Sequence, residues 1–230
     1  MTRPKLLDLF CCEGGAGTGY DQAGFDVTGV DLEPRFAKRY PFAFINADAI
    51  EFVKEHGHEY DVIHASPPCQ PYSITRHGHS VEHPRLIEPV RDALIASGRP
   101  YVIENVVGAP LIDPLLLCWS MFPQPGAVTD DDGTPLRMER HRLFESSVPI
   151  VSTQSCYHPK GVQVAGSYGG ARRDKWEAKN VRKGGYVPSA RVQQDLLGIH
   201  WMTQYGMHQS IPPVYTEFIG RQLIEGIVKV

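Results

Sequence analysis

No apolar run in these 230 residues is long enough to cross a bilayer. The longest, LLDLF and LIDPLLLCW, fall well short of the roughly 20 residues a spanning helix needs. The opening MTRPKLLDLF enters a strand-like pattern directly, without the layout of a secretory leader. Cysteine is sparse: Cys11, Cys12, Cys69, Cys118 and Cys156, odd in number and with no C-x-x-C pair. That excludes a dense disulfide framework and fits a reducing compartment. A cytoplasmic monomer is expected. Excess charge is lacking as well, since 23 Lys and Arg stand against 26 Asp and Glu, for a net charge of -3. Nothing global therefore marks a nucleic-acid binder. Repeats, low-complexity tracts, a P-loop and a G-x-G-x-x-G fingerprint read from Gly14 are all absent.

What remains, 42% hydrophobic and 21% charged residues, is the composition of an ordinary globular chain able to bury one sizeable core. In the first half, short apolar strands alternate with helical patterns, the signature of an α/β fold with a doubly wound, mostly parallel sheet. Strands are predicted at Lys5–Phe10, Asp26–Asp31, Ala43–Asn46, Tyr60–Ala65 and Pro100–Glu104. Helices are predicted at Gly17–Ala23, Ala47–Glu55 and Arg85–Ser97. A later strand pair is expected at Arg142–Glu145 and Val148–Ser152. An irregular Gly-, Lys- and Arg-rich stretch follows, then helices at Ala190–Leu197 and Val214–Val228, the last placed to pack back beside the first strand. In such sheets ligands bind beyond the carboxyl ends of the strands. Four of those ends (Phe10, Asp31, Ala65 and Glu104) carry unusual polar motifs.

The first strand runs into Cys11-Cys12-Glu13-Gly14-Gly15-Ala16-Gly17. Glycines at a strand-to-helix turn either let backbone N–H groups approach a ligand or let the helix pack closely on the sheet. Asp31, at the end of the second strand, suits the hydroxyls of a ribose. Asp48 suits an adenine amino group, or equally the N-cap of the following helix. Together these predict an adenosine-bearing ligand, with NAD still open on these features alone.

The reactive side is sharper. Asp61-Val62-Ile63-His64-Ala65 ends in Ser66-Pro67-Pro68-Cys69-Gln70-Pro71, where prolines on both flanks hold the thiol extended and presented. Cys69 thus reads as a nucleophile, and the other four cysteines as small buried packing residues. Glu104, in Tyr101-Val102-Ile103-Glu104-Asn105-Val106, puts a carboxyl group at a buried strand end, which is costly without a role. Arg140 and Arg142 fall on one face of a strand by alternation.

These motifs resemble those of the DNA cytosine-5 methyltransferases. Phe10–Gly15 is similar to the family's F-x-G-x-G-G turn, Pro67-Pro68-Cys69-Gln70 to its P-P-C-Q motif, and Glu104-Asn105-Val106 to E-N-V. Arg140-x-Arg142 is similar to the end of Q-x-R-x-R, and Ser210-Ile211-Pro212-Pro213 to the closing motif. The likeness covers about residues 5–150 and 190–229. Three departures stand out: Cys12 replaces a glycine, Met138 the motif glutamine, and His208-Gln209 the usual Gly-Asn.

The resemblance implies a Rossmann-like class I methyltransferase domain over 1–150 and 190–230, with 151–189 as a small basic target-recognition region. It implies S-adenosylmethionine as cofactor, held by Phe10, Gly14, Gly15, Asp31, Leu32, Asp48, Ala49, Pro67 and Ser210. Catalysis falls to Cys69 and Glu104, with Arg142, supported by Arg140, on the base. Double-stranded DNA is the expected partner. Gln70, Ser73 and Arg76 would contact it, together with Arg172, Arg173, Lys175, Arg182 and Lys183 from the run Arg172–Lys183, which holds six basic residues against two acidic. A cognate restriction endonuclease is a further expected partner. No metal is expected, because His77, His79 and His83 lack a cysteine or acid to complete a site. A tRNA substrate, and a catalytically silent DNA-binding protein on the same fold, remain the alternatives.

Overall fold

The computed structural model describes residues 2–72, 84–122, 128–167 and 186–228. Seven strands form one sheet, in the order β3-β2-β1-β4-β5-β8-β6. Its parallel part comprises β1 (Lys5–Leu9), β2 (Asp26–Asp31), β3 (Ala43–Asn46), β4 (Val62–Ala65) and β5 (Tyr101–Asn105). These strands match the predicted ones to within two residues at either end. They read as near-continuous apolar runs because helices cover both faces. β8 (Arg142–Ser146) lies antiparallel to β5, and β6 (Leu115–Leu117) antiparallel to β8 at the edge.

Helices α1 (Gly15–Ala23), α2 (Ala49–His56) and α3 (Ile87–Ser97) connect the parallel strands, and α4 (Ala190–Leu197), α5 (Gln204–Gln209) and α6 (Pro213–Val228) close the chain. One apolar cluster centres on Tyr20, Phe25, Phe144, Tyr215 and Ile219, the other on Leu7, Leu9, Ile63, Leu94 and Ile103, on opposite faces of the sheet. The expected return of the C-terminal helix is found. α6 lies against α1, and the Thr216 hydroxyl donates to the Ala16 carbonyl at 2.8 Å.

The expected strand at Val148–Ser152 does not form. Pro149 has no N–H to give a ladder, and the Val151 N–H is taken by the Gln222 side chain at 3.0 Å. Two short strands escaped prediction instead: β7 (Leu136–Met138) and β9 (Gln163–Ala165) pair in parallel as a separate two-stranded sheet. Tyr186 bridges to Ala165, and its hydroxyl donates to buried Asp130 at 2.7 Å. Residues 128–138 therefore pack with the segment after residue 150, across the boundary expected there.

Glycine in α1 is a packing requirement. A Cβ on Gly19 would sit 2.0 Å from the Pro213 carbonyl oxygen and 2.1 Å from the Thr216 hydroxyl. Gly19→Ala is expected to cost about 3 kcal/mol by overpacking. Gly226→Ala, at an open position in α6, is expected to stabilise by under about 1 kcal/mol. Urea midpoints of the two variants check this contrast.

Candidate active site

Four strand ends converge at the carboxyl edge of the sheet, and the segments beyond them carry the chemistry. After β1 the chain turns through Phe10 and Cys12, both with positive φ (60° and 46°), into Gly14 at φ 91°. The left-handed backbone at Cys12 explains why glycine suits this position, since an L side chain there costs about 1–2 kcal/mol. The turn is fastened from three sides. Asp31, nearly buried, accepts the Cys12 N–H on Oδ2 and the Glu33 N–H on Oδ1, both at 3.0 Å. Glu13 accepts the Thr203 N–H at 2.7 Å and the Thr203 hydroxyl at 2.6 Å, and the Trp201 indole donates to the Glu13 carbonyl at 2.9 Å. A Cβ on Gly15 would meet the Ile211 carbonyl at 2.6 Å. Gly15 thus serves close packing, one of the two readings left open by the sequence.

Glu13, Trp201 and Thr203 were not anticipated. Their one sequence signal was a charged residue inside an otherwise small, apolar turn. Beside this turn Leu32 is 68% exposed, and Asp48 caps α2 by accepting the Ile50 and Glu51 N–H groups on Oδ1 alone, with Ala49 buried behind it. An exposed apolar side chain, a second carboxylate oxygen clear of the cap bonds, and Asp31 form an apolar surface with hydrogen-bond acceptors, which fits an adenosine. Ser210 lies at the same turn, although its hydroxyl donates to the Met207 carbonyl at 2.9 Å.

The reactive loop follows β4. Asn105, fully buried at the end of β5, donates through Nδ2 to the Pro67 carbonyl at 2.9 Å and so anchors the Pro-Pro-Cys segment to the neighbouring strand. Cys69 is half-buried and close enough to Glu104, Arg142 and Arg140 to feel their charges. Burial first, then the Glu104 carboxylate, push its thiol above the usual value, and Arg142 pulls the other way.

Glu104 is itself raised by burial, against the lowering influence of Arg142, Arg140 and the Ser66 hydroxyl. Arg142 Nε stands 2.9 Å from Glu104 Oε1, yet that oxygen accepts no well-directed hydrogen bond. The contact is an ion pair without hydrogen-bond alignment, so it offsets the effect of burial only in part. Behind it runs a buried chain: the Tyr20 hydroxyl meets His64 Nδ1 at 3.0 Å, and His64 Nε2 meets the Ser66 hydroxyl at 2.7 Å. Burial drops the His64 pKa to about 3, so this ring is neutral and passes hydrogen bonds rather than charge.

The two arginines divide. Arg142 opens β8 and also donates to the His141 carbonyl at 2.8 Å. Arg140 precedes the strand and is buried. Its guanidinium donates to the carbonyls of Ser167 (3.1 Å), His208 (3.0 Å) and Ser210 (2.7 Å). It fastens the closing segment to the start of the basic region. The departure at His208 is tolerated because its carbonyl, not its side chain, takes this bond. Met138 is buried in the apolar cluster.

Gln70 lies beside Cys69, half-buried. Ser73, Arg76, Arg172, Arg173, Lys175, Arg182 and Lys183 lie outside the described residues, as do His77, His79 and His83. Cys118 and Cys156, read as packing residues, do pack in the apolar core, and they also face each other and the imidazoles of His141 and His158.

Residues 4–108 match the family model described as C-5 cytosine-specific DNA methylase. The Type II methyltransferase M.XorII of Xanthomonas oryzae pv. oryzae is 30% identical over 124 residues, which is 47% of this chain and 29% of its own. M.AgeI of Thalassovita gelatinovora is 29% identical over 198 residues, 77% of this chain and 42% of its own. The chain thus spans less than half the length of either relative. A crystal structure described as a DNA modification methyltransferase encoded within an E. coli prophage superposes with a TM-score of 0.62 at 14% identity, over 99% of this chain and 100% of that one. The S. pombe Dnmt2 methyltransferase gives 0.58 at 12%, over 98% and 99%. These two likenesses establish the class I methyltransferase fold.

Two predictions follow from the buried acids. Removing the Glu104 charge should lower the Cys69 pKa, so in Glu104→Gln the thiol is alkylated faster at neutral pH. Iodoacetamide labelling resolved by peptide mass spectrometry checks this. Asp8, fully buried in β1 and accepting from the Tyr40 hydroxyl at 3.0 Å, is raised from 3.8 to about 7 by burial. The folded chain therefore keeps a proton that the unfolded chain releases. Its contribution to stability is full below about pH 4 and is lost as pH rises through 7. In Asp8→Asn that loss should be absent, which thermal melts across the same pH range will show.

Proposed function

We propose, from the match of residues 4–108 to the C-5 cytosine-specific DNA methylase family model, that this chain methylates carbon 5 of cytosine in DNA through a covalent bond to Cys69. The observation that carries this reading is the meeting of a presented thiol with the buried Glu104, whose carboxyl burial pushes above its ordinary value, and with Arg142 at one strand edge. Carbon 5 of cytosine is a poor nucleophile until the ring is activated. The Cys69 thiolate adds to carbon 6, forming the S–C bond while ring electrons shift toward nitrogen 3. Protonated Glu104 donates a hydrogen bond to that nitrogen and stabilises the developing charge. Arg142 holds the ring carbonyl oxygen. Arg140, engaged with three carbonyls, positions the strand from which Arg142 projects.

S-adenosylmethionine, when bound, supplies an electrophilic methyl group to the activated carbon 5. Phe10, Gly14, Gly15, Asp31, Leu32, Asp48, Ala49, Pro67 and Ser210 surround its proposed site. Asp31 would take the ribose hydroxyls, Asp48 the adenine amino group, and Leu32 would offer its apolar side chain to the ring. A base or water then takes the carbon 5 proton, the carbon 5–carbon 6 double bond re-forms, and Cys69 leaves as the thiolate.

The target base lies inside a duplex, so it must be flipped out, at a cost of a few kcal/mol. Gln70, Ser73 and Arg76 would follow it from the loop after the nucleophile. The run Arg172–Lys183 would hold phosphates, with few residues left to read bases. A short recognition site of roughly two to four base pairs is therefore proposed. The Type II names of the two relatives suggest a restriction-modification setting with a partner endonuclease.

Bisulfite sequencing of DNA from cells expressing the chain tests the assignment. Cys69→Ser should abolish product by about three orders of magnitude or more while leaving cofactor binding unchanged. Labelled duplex DNA should be methylated in preference to tRNA, and its binding should weaken at least about tenfold between roughly 50 and 200 mM salt. Preferential methylation of tRNA would overturn the DNA assignment.

A further inference from the structure

On the far side of Arg142 from Glu104, four side chains from three separate segments point at one another. Cys118 follows the last residue of β6 and His141 precedes the first of β8. Since Leu117 pairs with Arg142 across that antiparallel ladder, Cys118 and His141 are brought face to face by the register itself. Cys156 and His158 come from the extended segment beyond residue 150. The Cys118 sulfur lies 3.3 Å from His158 Nε2, and the Cys156 sulfur lies 3.0 Å from His158 Nε2 and 3.2 Å from His141 Nε2. All four donor atoms fall within 4.8 Å of one another.

From these positions we propose that Cys118, His141, Cys156 and His158 bind one zinc ion as a closed, tetrahedral structural site. Zinc bonds of about 2.3 Å to sulfur and 2.0–2.1 Å to nitrogen imply tetrahedral edges of about 3.3–3.8 Å. The three sulfur–nitrogen separations above need to open by only tenths of an ångström, and no other pair has to close from more than 4.8 Å. Two thiolates and two imidazoles, with no carboxylate among them, select a borderline-soft tetrahedral ion over magnesium or calcium.

The surroundings match those of a ligand set. His158 turns Nδ1 toward Glu139 Oε1 at 3.6 Å, which places a carboxylate behind the ring on the side away from Nε2. Glu139 is in turn held by Arg137. The Ser120 hydroxyl lies 3.4 Å from the Cys118 sulfur and 3.7 Å from the Cys156 sulfur, within donating reach of both thiolates. Four protein ligands leave no open position, so the ion is not part of the methylation chemistry. It clips the entry to the basic region onto the sheet edge, one residue from Arg142.

The test uses the full chain, expressed in zinc-supplemented medium and purified under reducing conditions. Metal analysis by mass spectrometry is expected to find about one zinc per chain, retained in Cys69→Ser and lost in the Cys118→Ser/Cys156→Ser double variant. Should that variant fail to fold, cobalt exchanged into the wild-type chain decides the matter: tetrahedral d–d bands and a thiolate-to-cobalt charge-transfer band are expected. Zinc-free wild-type protein that yields no such spectrum, zinc retained in a folded double variant, or a Cys118–Cys156 disulfide would each overturn the proposal. Metal content and cobalt spectrum are read without any methylation assay, so they stand or fall independently of the proposed function.

Discussion

A buried carboxyl group facing a guanidinium with which it shares no aligned hydrogen bond governs the carboxyl edge of this sheet. Glu104 sits where burial penalises its charge while Arg142, Arg140 and Ser66 favour it, and burial is the larger effect. A well-aligned bidentate pair would have held Glu104 ionised and made it useless as a hydrogen-bond donor to a ring nitrogen. The same charge raises Cys69, so the two groups are coupled: as Glu104 takes up a proton, the thiolate becomes easier to form. A neutral Glu104 and a Cys69 thiolate therefore favour each other.

That balance depends on fixed distances, and the sequence spends much of its unusual chemistry on fixing them. Asn105 ties the nucleophile loop to the strand that carries Glu104. The neutral chain from Tyr20 through His64 to Ser66 supports the acid from within the core without adding a charge to it. On the cofactor side Glu13 draws the closing segment onto the glycine turn, and Gly19 lets α6 approach α1 to backbone contact. Asn105 and Glu13 bond to backbone groups, so these two ties survive small changes in neighbouring side chains.

The parallel strands and the placing of Cys69 and Glu104 at neighbouring strand ends were legible because each has a local signature: apolar runs of four to six residues, prolines flanking Cys69, a carboxylate ending a buried strand. What the sequence hid is non-local. β6, β7 and β9, of three residues each, are too short for any periodicity to register. Arg140 shares the R-x-R pattern with Arg142, and alternation put both on one strand face. The strand begins only at Arg142, and so Arg140 turns to the carbonyls of three distant residues. Cys118, His141, Cys156 and His158 show no metal spacing beyond a single C-x-H. An antiparallel register and a loop bring them together, and neither is visible before the sheet is known.

Arg142 consequently stands between two rigid supports. Toward the core, Arg140 is locked to the closing segment, and the Tyr215 hydroxyl donates to the Arg140 carbonyl. Toward the edge, the backbone of His141 accepts from Arg142 itself, while the His141 side chain joins the thiol–imidazole cluster. An arginine held only by its ion pair with Glu104 would lose its place when that acid became protonated. Held through the backbone on both flanks, it can keep its position through the change of charge. Such preorganisation is what electrostatic stabilisation of a developing anion requires, since no reorientation is then needed as the charge appears.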